Sequence, residues 1–221
     1  MEGLDSLVLE PVFSTRNRCV IGARVDTHGD DAAAVNAALR LVQVFISQRG
    51  FERLYVCLDR VTTSDLACLR PILQLLQEVP EARTRLCLVY QPEATQGVGQ
   101  LPVALSLLSA LDVELCMALA EITPEFLLRL KELPMQAVQL DAGILHHYAV
   151  ISPGCVEELL IIAKSRGLNL LAWNVRDQIQ LSRMLALGCQ CLHGGLIGPP
   201  MTISGLFRNG MGSPERGSNY G

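Results

Sequence analysis

Short, nearly continuous apolar runs alternate with helix-like runs almost from end to end, and this alternation constrains the fold most. "LVLEPVF" and "RCVIGARV" read as two strands, and "STRN" between them is a turn signal, so the chain opens on a β-hairpin. A helix follows in "DAAAVNAALRLVQVFISQRG", capped by Asp30 or Asp31 and stopped by Gly50. The pattern then repeats. "RLYVCLD" is a strand and "PILQLLQEV" a helix with Pro71 near its start. "RLCLVYQ", "VELCMALA", "MQAVQLD", "LNLLAWNV" and "CQCLHGG" are further strands. The helices between them are "PVALSLLSAL", "TPEFLLRLKEL", "SPGCVEELLIIAKSRG" and "DQIQLSRMLALG". Thr123 is placed to cap the second of these with Pro124 at its first position, and Asp177 to Gln180 resembles a capping box.

Strands this apolar belong to a parallel sheet covered by helices. Roughly seven β/α units point to a closed (β/α)8 barrel of the α/β class, entered through an N-terminal β-hairpin. No internal linker interrupts residues 1–207, which read as one domain. Residues 208–221 are Gly/Ser-rich and expected to be a disordered tail.

The totals exclude several functions. The chain has 221 residues, half of them apolar, and a formal charge of −4. No run of Lys and Arg gives it an electrostatic footprint for direct nucleic-acid binding. The N-terminus lacks a basic region followed by an apolar one, so no secretory signal is expected. A cytoplasmic location with reduced thiols follows for the eight cysteines. Two long segments lack charge, but "LPVALSLLSAL" spans only about 16 Å as a helix. The other, Met184 to Phe207, is broken by Gly and Pro. No membrane span is expected.

In a (β/α) barrel the chemistry sits at the C-terminal ends of the strands. A metal-dependent hydrolase needs carboxylates converging there. Asp26, Asp59 and Asp141 are the candidates, whereas the fifth and seventh strands offer Ala118, Leu119 and Trp173. Asp59 and Asp177 also read as caps or solvated loop residues. Asp141 is the stronger candidate because it directly ends an apolar strand.

"GCQCLHGG" poses the question of a metal site, since Cys189, Cys191 and His193 would share one face of a strand. Three ligands at this spacing span about 13 Å, too far to meet at one ion whose bonds are about 2.0–2.3 Å. The two cysteines are expected to pack inside the barrel, with His193 at its mouth.

The arrangement resembles the EAL domains, bacterial barrels that hydrolyse cyclic di-GMP. "LKELPMQAVQLDAGIL" is similar to the family's "LKxLPxDxLKIDxSFV". "AKSRGLNLLAWNVRDQIQLSRMLALGCQCLHGGLIGPPM" is similar to its "AxxLGLxVxAEGVETxEQLxxLxxLGCDxxQGYLFxxPL". "LEPVFSTRNRCVIGARVD" resembles its opening "YQPIVDLxTGxIVGAEAL". The likeness runs from about Leu7 to Leu206.

The resemblance implies a framework without its chemistry. The glutamate of the signature triplet falls on Arg24, and the metal-binding asparagine on Cys57. The fourth-strand glutamate falls on Val89 or Tyr90, depending on register. The aspartate pair falls on Ala118 and Leu119, and the lysine on Gln139. The "AEGVE" glutamates fall on Trp173 and Arg176, the last-strand glutamine on His193, and the nucleotide-holding arginine near His28. Only Asp141 is kept, which alone cannot hold a metal, with the scaffold positions Gly194 and Pro200. The expectation is a catalytically inactive EAL-like domain without cofactor, working as a protein-binding adaptor in bacterial signalling, in motility, biofilm or transcription control. A homodimer is compatible with the high apolar content. The alternative is a receptor that binds cyclic di-GMP without hydrolysis, using Arg24, Trp173, Arg176 and His193. An active phosphodiesterase is the third reading.

Overall fold

The computed structural model describes residues 7–26, 40–44, 52–58, 66–91, 101–144 and 153–208. Eight strands close into a barrel in sequence order. They are β1 (Leu9–Ser14), β2 (Cys19–Asp26), β3 (Arg53–Leu58), β4 (Leu86–Tyr90), β5 (Glu114–Leu119), β6 (Ala137–Asp141), β7 (Asn169–Trp173) and β8 (Cys191–Leu192). β1 runs antiparallel to both its neighbours, β2 and β8, and every other pairing is parallel. The expected hairpin and closed barrel are both present. The antiparallel first strand has a consequence for the site: its beginning lies at the end of the barrel where the parallel strands finish.

The helices between the strands are α1 (Leu66–Glu78), α2 (Ala82–Arg85), α3 (Leu101–Ser109), α4 (Pro124–Glu132), α5 (Pro153–Arg166) and α6 (Gln178–Ala186), and α7 (Ile203–Arg208) follows β8. α4 starts as its sequence dictates, with the Thr123 side chain accepting from the Phe126 N–H and Pro124 at the first position. At α6 the Asp177 carboxylate accepts from the Gln180 N–H at 2.8 Å. The Gln180 side chain accepts in return from the Arg176 N–H, one residue before the cap. α1 departs from expectation: Pro71 lies inside the helix, which already exists at Leu66. α7 runs one residue into the expected tail, and residues 209–221 lie outside the described residues, as does most of the helix expected before β3.

The alternation of side chains along each strand makes two cores. The outward residues of the strands, such as Val56, Leu88, Met117 and Leu140, pack against the helices with Leu76, Leu105, Leu130 and Leu159. Burial of a side chain of this size contributes about 1.5–3 kcal/mol. The inner core is smaller and contains Val12, Tyr55, Val89, Ala118, Leu171 and the thiols of Cys57, Cys87, Cys116 and Cys191. Val89 points into the barrel, and Tyr90 belongs to the outer core. Cys189 also belongs to the outer core, correcting its expected place inside the barrel. Its N–H bonds to the Met184 carbonyl at the end of α6, so the backbone is still turning there and β8 begins only at Cys191. Burial pushes the Cys189 thiol up to about 12, with the neighbouring Cys191 adding to the shift.

Among the described residues, no helix is long and apolar enough to cross a membrane.

Candidate functional site

At the mouth of the barrel, where the parallel strands end, four polar side chains are joined in a chain of contacts. Arg24 on β2 is buried, and its Nη1 pairs with Glu10 Oε2 at 3.2 Å. The same carboxylate oxygen lies 3.0 Å from His193 Nδ1. The other ring nitrogen of His193 meets the side-chain amide of Gln139. His193 and Gln139 are both buried. Glu10 is thus the shared anion of an arginine and a histidine. The hydrogen bond from His193, followed by the charges of His193 and Arg24, outweighs burial and brings the Glu10 carboxyl down to about 2.

Trp173 on β7 packs against the Arg24 end of this cluster. Its ring lies over the Arg24 guanidinium, 5.0 Å from Cζ to the ring centroid, a cation–π geometry. Arg24 Nε donates on its other side to Cys57 Sγ at 3.0 Å. Two buried polar atoms here have no hydrogen-bond partner among the described residues: Trp173 Nε1 and Gln139 Oε1. Unpartnered atoms of this kind mark places where water or a ligand is expected.

Asp141 sits higher at the mouth and is half-buried. One of its oxygens accepts from the Gly143 N–H at 2.6 Å and the other from Asn174 Nδ2 at 3.3 Å. Asn174 has φ of 59°, a left-handed conformation that asparagine tolerates better than most residues. Its Oδ1 accepts from Arg176 Nε at 2.7 Å, tying the exposed Arg176 back to the mouth. The β7–β8 crossing is tight: Gly194, at φ of 134°, lies where a Cβ would stand 2.3 Å from the Val175 nitrogen.

Of the residues singled out in the sequence, the structure brings together Arg24, Trp173, His193, Gln139 and Cys57. Arg176 joins Asp141 through Asn174. Asp177 is a helix cap. Asp59, His28 and the side chain of Asp26 lie outside the described residues. Glu10 was missed, although it is the hub of the cluster. The available signal was the hairpin: an antiparallel first strand presents its starting residues, not its last ones, at the mouth.

Among the described residues, the donor set does not fit a hard divalent cation. Such ions require several carboxylate or carbonyl oxygens around one point. Glu10 is already committed to Arg24 and His193, and Asp141 takes two N–H donors. Among the described residues, no group of three or more His, Cys, Asp and Glu side chains is placed to hold a metal ion.

No protein-family model matches the chain, and no curated protein matches it. Solved structures do. The PaMucR phosphodiesterase in complex with cyclic di-GMP superposes with a TM-score of 0.74 at 19% identity, over 90% of this chain and 93% of that one. The EAL domain of Mycobacterium smegmatis DcpA gives a TM-score of 0.74 at 18% identity, over 95% and 96%. The Xanthomonas citri FimX EAL domain in complex with cyclic di-GMP gives 0.72 at 18% identity, over 89% and 88%. The likeness covers 89% to 95% of this chain, and the chain has the fold of an EAL-type domain.

Proposed function

We propose that the chain is a catalytically inactive EAL-type domain that works as a regulatory adaptor through protein contacts in bacterial signalling, in the control of motility, biofilm formation or transcription. The observation that supports this reading is the Arg24–Glu10 pair beneath Trp173. Metal-assisted hydrolysis of a phosphodiester needs cations at the mouth of the barrel, as Lewis acids and to activate water. Here the mouth carries a permanent cation of the protein's own, its counter-ion is used twice, and an indole ring lies against the guanidinium. A metal ion placed there would meet repulsion from the guanidinium.

Support for protein contact comes from the outer wall. Large apolar side chains stand exposed on four successive helices: Val103 and Leu107 on α3, Leu128 on α4, Ile161 on α5, and Ile179 and Leu185 on α6. These exposed aliphatic side chains are available to a protein partner.

A second reading is favoured by the two unpartnered atoms. A receptor that binds cyclic di-GMP without hydrolysis would use Trp173 to stack on a base and Arg24, Arg176 and His193 to meet phosphates and base edges. The neighbours of known structure include domains holding this nucleotide.

A hydrolysis assay with cyclic di-GMP and Mg²⁺ or Mn²⁺ tests the inactive reading, and no product is expected. Turnover that disappears in Asp141→Ala would overturn it in favour of a phosphodiesterase. The adaptor reading further expects a complex from bacterial extract that survives addition of nucleotide.

A further inference from the structure

His193 stands at the seam where the barrel closes. β1 and β8 meet through two residue pairs, Phe13 with Leu192 and Ser14 with Cys191. The Thr15 N–H adds a bond to the Gln190 carbonyl at 2.9 Å, and Leu9 and Met201 exchange backbone bonds beyond the strand. Between these, His193 Nδ1 reaches across the seam to Glu10 Oε2 at 3.0 Å. Its Nε2 meets the side-chain nitrogen of Gln139 on β6. The histidine is 2% exposed and the glutamine 1%, so bulk water does not replace these partners.

The two neighbours make different demands on the ring. His193 and Arg24 bring the Glu10 carboxyl down to about 2. Near neutral pH it is therefore ionised and only accepts, so Nδ1 carries a proton whatever the charge of the ring. The Gln139 amide holds both a donor and an acceptor. With its nitrogen toward the ring, Nε2 is bare and the ring is neutral. That arrangement leaves Gln139 Oε1 buried without a hydrogen-bond partner among the described residues, which is costly. Half a turn of the amide puts this oxygen on Nε2, which then needs a second proton. The orphaned acceptor and the second ring proton satisfy each other.

The other described titratable and charged groups of the barrel interior have contacts of their own. Arg24 on β2 shares Glu10 and donates to Cys57 on β3. Asp141 on β6 takes the Gly143 N–H and Asn174 Nδ2, and Arg176, after β7, is held by Asn174. Tyr55 on β3 bonds to Cys191 on β8. Burial raises both of these and Cys116 on β5, which keeps them uncharged. Cys87 on β4 completes the inner wall.

The geometry points to a proton-operated latch on the barrel seam. When His193 takes a second proton, the Gln139 amide turns to accept it, and the ring closes on Glu10 as a cation. When that proton leaves, the amide turns back, the ion pair across the seam becomes an ordinary hydrogen bond, and the seam loosens. A cation stabilised by its partners favours the folded state while it is protonated. The latch therefore holds on the acid side of the His193 titration and is released as pH rises through it. This device does not depend on the adaptor reading.

The test follows the ring ¹⁵N and ¹H resonances of His193 in the full chain between about pH 5 and 9. Both ring nitrogens are expected to carry protons at the acid end, and Nδ1 alone at the alkaline end. The Gln139 side-chain resonances should shift at the same midpoint. Protection of the Thr15 amide from hydrogen exchange, corrected for the intrinsic effect of pH, should fall several-fold above it. A neutral ring protonated on Nε2, a ring that keeps one charge state throughout, or Gln139 and Thr15 signals that ignore the midpoint would each overturn the proposal. Gln139→Met keeps the bulk and removes both polar atoms. If the amide turns, the charged ring loses its acceptor and the midpoint falls by about half a pH unit or more. An amide fixed as a donor supports the neutral ring, so its loss would raise the midpoint. A raised or unchanged midpoint contradicts the latch, and the measurements on the native chain decide the matter where the variant does not fold.

Discussion

The Cζ of Arg24 lies over the indole ring of Trp173, 5.0 Å from its centroid, at the mouth of the barrel. Removing the indole leaves both a cavity and an uncovered charge. Trp173→Ala is expected to cost about 2–4 kcal/mol in urea unfolding. Trp173→Phe keeps a ring over the cation and sheds the unpartnered indole N–H, so it is expected to cost about 1 kcal/mol or less. Equal losses in the two variants would contradict a contribution from a ring over the cation.

Arg24→Glu introduces the acidic residue that the family resemblance places there, and it tests whether one substitution is enough for hydrolysis. The new carboxylate faces Glu10 without a cation between them. Destabilisation of roughly 3 kcal/mol or more is expected from the like charges and the lost pair. The inactive reading expects no Mg²⁺-dependent hydrolysis, because the resemblance still puts Val89, Ala118 and Trp173 at ligand positions. Denaturant titration and the hydrolysis assay check the two halves of this prediction separately.

The Glu10 carboxyl is depressed from 4.5 to about 2 by His193 and Arg24. A depressed carboxyl stabilises the fold above its unfolded value, and the contribution is lost as pH falls through the folded one. Stability should therefore decline between about pH 4.5 and 2 through this group. Glu10 is 30% exposed, so solvent screening leaves about 1–2 kcal/mol of that effect. Glu10→Gln should be less stable than the native chain at pH 6 and nearly equal to it at pH 2. Parallel acid titration curves for the two proteins would contradict the assignment.

Periodicity made the barrel legible before any coordinates, because apolar strands and capped helices each carry their own local signal. Thr123 and Asp177 cap the helices that their side chains announce. Legibility failed where tertiary geometry overrides spacing. Cys189 and Cys191 alternate in the sequence as if on one strand, yet the turn leaving α6 still governs Cys189 and sends it to the outer core. Glu10 lies at the start of a strand, a position unremarkable in a parallel barrel. It became the hub of the site only because β1 runs against its neighbours. The choice between Val89 and Tyr90 needed register, which a run of apolar residues does not supply.

Gly194 joins β8 to the loop that packs on Val175. Its φ of 134° and the 2.3 Å left for a Cβ beside the Val175 nitrogen leave no room for a side chain. Gly194→Ala is expected to cost roughly 2 kcal/mol or more, and to disturb His193 next to it. Thermal unfolding measures the first effect. The His193 ring resonances report the second.

On the proposed reading, this barrel keeps the EAL-type fold but uses it for protein contact and not for the nucleotide. Calorimetric titration of the purified chain with cyclic di-GMP, with and without Mg²⁺, tests it most directly. The account predicts no saturable heat up to about several hundred micromolar nucleotide, with metal or without. Saturable binding in the micromolar range without metal would make the protein a receptor, and binding that requires Mg²⁺ would mean that the mouth holds a cation after all.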